Sequence, residues 1–261
     1  MTTAEAARLV TAHVDDGVGV LRLSDPARRN ALGKDMSDAL GEQVGRVLAD
    51  GARVIVLTAE PPVFCAGGSL DNLLSGAHPL EDMFAGYDAL ASAPVPTLAV
   101  VAGPALGAGL NLALACDVIL ASRSARFESR FMGIGMHPGG GHMWRLVQRT
   151  GRQTTAAMVL FAESLDAEEA ARAGLVWRCY DNDELEPAAL QLARRAAARP
   201  GGLMMRAKET LRSAASDESG MEAFELEMEA QRWSMTQPEF EASVRSMQER
   251  IQAGKAGRDL I

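Results

Sequence analysis

The sequence predicts an α/β core followed by a helical C-terminal region. Three observations carry this. Short β-branched runs alternate with segments of helical period through the first half. After Pro138 the period is almost wholly helical. Between Asp88 and Asp117 nothing is ionisable, and that stretch holds "VAGPALGAGLNLALACD", an apolar, glycine-rich run that reads as the centre of the core.

In order, "LVTAHV", "DDG" and "VGVLRLS" read as a β-hairpin on an Asp-Gly turn. Residues 34–49 place Met36, Leu40, Val44 and Val47–Leu48 at helical spacing. "RVIVLTA" at 53–59 is a buried strand, and "EPPVFCAGGS" a loop in which Ser69 caps a short helix beginning near Leu70. Residues 80–92 read as helix, "PTLAVVAG" as a buried strand, and "AGLNLALAC" as a short helix buried on all sides. "DVILAS" and "ARFES" are two further strands. Helices follow over roughly 140–150, 152–161, 166–173, 183–199, 201–215 and 220–251, interrupted by a strand-like "LVWRCY" at 175–180. No repeat or low-complexity tract breaks the pattern. "MEAFELEMEAQRW" reads as a helix with one solvated face, whose apolar stripe (Met221, Phe224, Met228) could also meet a partner subunit.

At 261 residues, 48% of them apolar, the chain can bury a large core as one or two domains. A net charge of −8 and a pI near 5.1 argue against a nucleic-acid backbone or an anionic membrane as partner. The charge-free stretch is not a membrane span, because Pro94, Pro96 and Pro104 with Gly103, Gly107 and Gly109 would break a single helix several times. Cys65, Cys116 and Cys179 are too few and scattered for a disulfide framework, which points to a reducing cytoplasm. The first residues, "MTTAEAARLVTAHVDD", lack the apolar run of a secretory leader.

Two glycine-containing turns each follow a strand: "FCAGGS" (64–69) and "ALGAGLN" (105–111). Read from spacing alone, they are either two ordinary tight turns or two sets of unpaired amides that converge on a carbonyl oxygen. Together with "AVVAGPALGAGLNLALACDVILAS", "FMGIGMHPGGGHMWRLVQRTG", "PARRNAL", "AEEAARAGLV" and "MRAKETL", they resemble the enoyl-CoA hydratase/isomerase (crotonase) family over nearly the whole chain.

The resemblance implies a spiral of ββα units over 1–200, with a helical region at 201–261 that packs trimers or hexamers. It implies an acyl-CoA thioester as substrate, with coenzyme A as part of that substrate, no further cofactor and no metal. The oxyanion-hole amides would fall on Ala66 and Ala108. The segment with Ala27, Arg28, Arg29 and Ala31 would lie along the CoA nucleotide. Gly67, Gly68, Ser69, Leu70, Leu106, Phe131, Pro138 and Gly139 would surround the substrate.

The two family acids are missing: Asn111 and Phe131 stand in their places, and neither can carry a proton near neutral pH. His137 is the candidate replacement, because an imidazole can serve as acid or base there; alternatively it faces solvent or caps the following helix. His142, Asp71, Asp88 and Glu128 are weaker candidates, and Cys65 reads as core packing rather than a nucleophile. His137 and His142 have no metal-ligand spacing with each other or with His13 and His78. The functional expectation is an enoyl-CoA hydratase/isomerase-like enzyme of fatty-acid metabolism. The alternatives are a silent acyl-CoA-binding protein and a thioester hydrolase using the same oxyanion hole.

Overall fold

A computed structural model describes residues 9–75 and 77–214. The hairpin forms from β1 (Val10–Asp15) and β2 (Val18–Leu23), antiparallel, with Val10 opposite Leu23. Its turn is Asp16–Gly17, both at positive φ (49° and 77°), the two-residue geometry that matches strand twist. Helix α1 (Lys34–Ala49) buries Met36, Leu40, Val44 and Val47, as its period predicts.

The chain then adds parallel strands β3 (Val54–Ala59) and β4 (Thr97–Val101), with helices α2 (Leu70–Ser75) and α3 (Ala85–Ser92) between them. The first half of the helical segment read at 80–92 is a 3-10 turn, Leu80–Phe84. A two-residue strand β5 (Ala105–Leu106) leads directly into helix α4 (Ala108–Ala115). Strands β6 (Val118–Ser122) and β7 (Arg126–Glu128) follow. The helical pattern at 140–161 forms α5 (His142–Leu160), interrupted at Gly151, whose φ 73° and ψ 170° lie outside helical space. The expected boundary between two helices therefore falls at that glycine. Then come β8 (Leu165–Asp166), α6 (Ala167–Arg172), β9 (Arg178–Tyr180) and α7 (Leu185–Ala197).

The main sheet has the order β1-β2-β3-β4-β6-β9, parallel from β2 onward. Alternation along its strands separates two cores. Val18, Val20, Val54, Val56, Leu98, Val100 and Leu120 pack with α7 residues Leu185, Ala189, Ala193 and Ala197. Leu21, Leu23, Ile55, Leu57, Ala99, Val101 and Ile119 point into the larger core with α1 and α4.

A second layer stacks the ends of successive β-units. Leu32 bridges Gly68, Cys65 bridges Ala105, and β5 pairs with β7, which pairs with β8. Each step brings one turn beside the next, so the loops after four separate strands meet along one edge.

The chain divides into two units, Met1–Ala198 and Arg199–Ile261. In the second, helix α8 (Gly201–Ala214) is described. The helix expected over 220–251, with its Met221, Phe224 and Met228 stripe, lies outside the described residues. No described helix is long and apolar enough to cross a membrane.

Candidate active site

A cavity of about 210 Å³ opens where the stacked turns meet. Its walls are Leu32, Leu70, Leu73, Met83, Phe84, Phe131, Ile134 and Met136, with the backbone of Ala66, Gly67, Gly68, Gly107 and Ala108 on one side. Among the described residues lining it, Arg130 is the one charged side chain, and its Nε donates to Glu128 Oε2 at 2.5 Å.

Two backbone amides face this space for reasons the ladder supplies. Leu32 N donates to Gly67 O (2.7 Å), and Ser69 N donates to Leu32 O (2.9 Å). Gly68, between those two residues, turns its own N–H to the opposite side. There run Leu106 and Ala108: a Cβ on Gly67 would stand 3.0 Å from Leu106 O and 3.9 Å from Ala108 N. Ala108 is the first residue of α4, so its amide has no partner within the helix. Gly107 aims that amide with φ 52° and ψ −115°, a conformation closed to side-chain-bearing residues.

The expected donor Ala66 must be corrected. It lines the cavity, but its N–H donates to Arg29 O at 3.1 Å, so the outward amide of this turn is that of Gly68.

Asn111 is 1% exposed and does not line the cavity. Its Nδ2 donates to Gly139 O (3.0 Å), which leaves Oδ1 facing His142 Nδ1 at 2.6 Å. An amide oxygen only accepts, so His142 carries its proton on Nδ1. His142 Nε2 is then an acceptor, and the Ser129 hydroxyl donates to it at 2.9 Å. The network Asn111–His142–Ser129 is buried throughout. Burial lowers the His142 pKa from 6.5 to about 4, and the ring sits at the N-terminus of α5, so it is neutral at pH 7. Phe131 covers it edge-on, with ring centroids 4.9 Å apart, and presents its other side to the cavity. Tyr87 Oη donates to Gly140 O (2.7 Å) and steadies the glycine loop from behind.

His137, the sequence's candidate proton carrier, is exposed; its Nδ1 lies 2.8 Å from Pro138 O, and it is not among the cavity-lining residues. Of the residues named from the sequence to surround a substrate, Gly67, Gly68, Leu70 and Phe131 line the cavity, while Ser69, Leu106, Pro138 and Gly139 are not among its lining residues. Ser69 Oγ accepts from Asn72 N at 3.5 Å, at the start of α2. Ala27, Arg28 and Arg29 are exposed, and Ala31 is half-buried next to the lining residue Leu32. Arg28 is engaged by Asp25 at 2.7 Å. Asp71 and Asp88 are exposed and line no part of the cavity. Cys65 is fully buried, and burial raises its thiol pKa to about 11, as befits packing rather than nucleophilic attack. No metal-holding group of His, Cys, Asp or Glu occurs among the described residues.

The sequence reading did not find Ser129, nor the link between His142 and Asn111. The one local signal for His142 was its place directly after three glycines, at the start of a helix.

The family model for enoyl-CoA hydratase/isomerase matches residues 13–255. The chain belongs to that family. A Mycobacterium tuberculosis member named "Probable enoyl-CoA hydratase echA14" is 40% identical over 248 residues, covering 91% of this chain and 96% of its own. The 1,2-epoxyphenylacetyl-CoA isomerase of Escherichia coli is 34% identical over 201 residues, 73% of this chain and 77% of its own. A Thermobifida fusca crystal structure in complex with acetoacetyl-CoA superposes with a TM-score of 0.81 at 29% identity, covering 90% of this chain and 98% of that one. The spiral of stacked β-units is thus the crotonase fold.

Proposed function

We propose that this enoyl-CoA hydratase/isomerase-like protein binds an acyl-CoA thioester, with the acyl chain in the apolar cavity and the thioester oxygen against the N–H groups of Gly68 and Ala108. The observation that carries the reading is one cavity wall made of two outward amides, with apolar side chains and Arg130 around the rest. Fixed N–H dipoles in a dry pocket stabilise the negative charge that grows on a thioester oxygen during enolisation or addition. The names of the relatives and the acetoacetyl-CoA in the Thermobifida fusca structure support the ligand class. The exposed Ala27–Arg29 segment and Ala31, leading to Leu32 at the cavity, would follow the CoA nucleotide. On this reading the acyl-CoA chemistry belongs to fatty-acid metabolism.

No carboxylate lines the cavity among the described residues, and Asn111 is fully engaged by Gly139 and His142. Positioned acid–base groups contribute about 10²–10⁴ in rate, so ordinary hydration should lack that factor. Calorimetry with octanoyl-CoA and free CoA, alongside crotonyl-CoA hydration followed in the ultraviolet, tests the reading. The expected outcome is tighter binding of the thioester than of CoA, with hydration below about 1 s⁻¹. Equal affinity for thioester and CoA would overturn the acyl-cavity assignment, and fast hydration would require an acid that the described site lacks.

A further inference from the structure

We propose that Ser129 is an acyl-accepting nucleophile, with His142 as its base and Asn111 as the group that orients the base, so that the protein cleaves acyl-CoA thioesters. This rests on the acyl-CoA reading above and adds a reaction to it. The geometry supplies each role. Ser129 Oγ stands 2.9 Å from His142 Nε2, and His142 Nδ1 stands 2.6 Å from Asn111 Oδ1. The Asn111 amide is itself fixed by Gly139 O, so the tautomer that leaves Nε2 free to accept the serine proton is the one enforced. Nucleophile, base and orienter, each within hydrogen-bond reach of the next, form the arrangement that activates serine in acyl transfer.

The backbone of Ser129 also runs beside Gly107, the residue that precedes the Ala108 amide. Leu106 pairs with Glu128, and Gly107 N donates to Glu128 O at 2.9 Å. Continuing the register places Gly107 beside Ser129: a Cβ on Gly107 would be 3.6 Å from Ser129 O and 4.0 Å from Phe131 Cζ. Ala108 N–H is one residue further on. Between Ser129 and the cavity stands Phe131, which lines the pocket on one side and covers His142 on the other. Phe131 is itself buried, so a thioester reaches Ser129 only when this ring turns aside.

The step balances without a further reactant other than water. Ser129 Oγ attacks the thioester carbon and its proton passes to His142 Nε2. The oxygen becomes anionic against Gly68 and Ala108. As the carbonyl re-forms, the C–S bond breaks, and His142 gives the proton to the departing CoA thiolate. Water, deprotonated by His142, then attacks the Ser129 ester, releasing the carboxylic acid and restoring the serine hydroxyl.

The test uses the full chain with octanoyl-CoA, a saturated thioester on which hydration cannot interfere. Thiol release, intact mass and calorimetry are read on the same preparation. The expected result is free CoA together with an octanoyl mass increment that maps to the peptide carrying Ser129. Ser129→Ala should abolish the increment and slow CoA release at least 100-fold while still binding octanoyl-CoA. Ser129→Cys, isosteric and still nucleophilic, should keep the increment, which covers the case in which the alanine variant folds poorly. Binding of octanoyl-CoA by wild type without CoA release or increment overturns the nucleophile and leaves the binding reading standing. CoA release by a folded Ser129→Ala variant at the wild-type rate overturns it equally. Failure of wild type to bind octanoyl-CoA more tightly than CoA overturns the binding reading, and this one with it.

Discussion

Asn111 Oδ1 and His142 Nδ1 lie 2.6 Å apart in the interior, joining the middle of one buried helix to the first residue of another 31 positions away. The contact converts an isolated amide into a tautomer selector, while burial keeps the imidazole neutral, with one acceptor nitrogen aimed at Ser129. Burial sets the pKa, and the hydrogen bond sets which nitrogen holds the proton.

That neutral imidazole gives stability a definite pH dependence. With a folded pKa of about 4 and an ordinary value of 6.5, His142 is protonated in the unfolded chain but not in the folded one between those limits. The unfolded state binds the extra proton, so stability falls as pH drops from 6.5 toward 4, by about 3 kcal/mol from this group. Urea unfolding of wild type and His142→Gln at pH 7.5 and pH 4.5 checks it. The loss on acidification should be smaller in the variant by most of that amount, and equal losses would show that the ring is not held neutral.

Ala108 occupies the first position of α4, where proline fits the helix and removes only the N–H. Ala108→Pro should therefore keep the fold, read by circular dichroism, and lower any thioester turnover by about 10²–10³. Turnover at the wild-type rate in the folded variant would remove Ala108 from the oxyanion site.

Asn30 is a structural knot of the same layer. It is 0% exposed, its Oδ1 accepts from Asp25 N (2.8 Å), and its Nδ2 donates to Glu60 O (2.8 Å) and Val63 O (2.9 Å). Its φ of 53° also suits asparagine better than most residues. Asn30→Ala leaves three partly buried backbone groups without this partner and should cost about 3 kcal/mol in denaturant unfolding. A loss below about 1 kcal/mol would mean that water replaces the side chain.

What was legible in the sequence was what local chemistry decides. The Asp16–Gly17 turn, the period of α1 and the break at Gly151 are read from neighbours along the chain, and they fall where expected. The two-residue strands β5 and β8 were not legible, because each exists through pairing with residues distant in the chain, β7 for both and Cys65 also for β5. The same physics explains the displaced amide. Whether Ala66 or Gly68 turns outward depends on which residues of the turn Leu32 engages, a contact more than thirty residues back. Missing carboxylates at 111 and 131 were visible as residue types. The partners that Asn111 finds instead, Gly139 and His142, belong to a loop and a helix start that the turn sequence does not encode.

Two identical substitutions should move stability in opposite directions, and the contrast tests how closely the turns are packed. At Gly109 in α4 a Cβ would stand 2.3 Å from Cys65 O and 2.7 Å from Cys65 Cβ. Cys65 is held by its bridge to Ala105, so neither partner is a flexible side-chain end that can yield. Gly109→Ala must push α4 away from the 64–68 turn, at a cost of about 1–3 kcal/mol. It should also weaken octanoyl-CoA binding, because the Ala108 amide moves relative to that of Gly68. Gly45, exposed on α1, has nothing within 4 Å of a Cβ and does not line the cavity. Gly45→Ala gains helix propensity alone and should stabilise the protein by about 0.5–1 kcal/mol with unchanged binding. Urea midpoints and calorimetry on the two variants decide the matter. If Gly109→Ala is as stable as wild type, α4 does not press on the Cys65 turn, and the convergence of the two amides loses its structural basis.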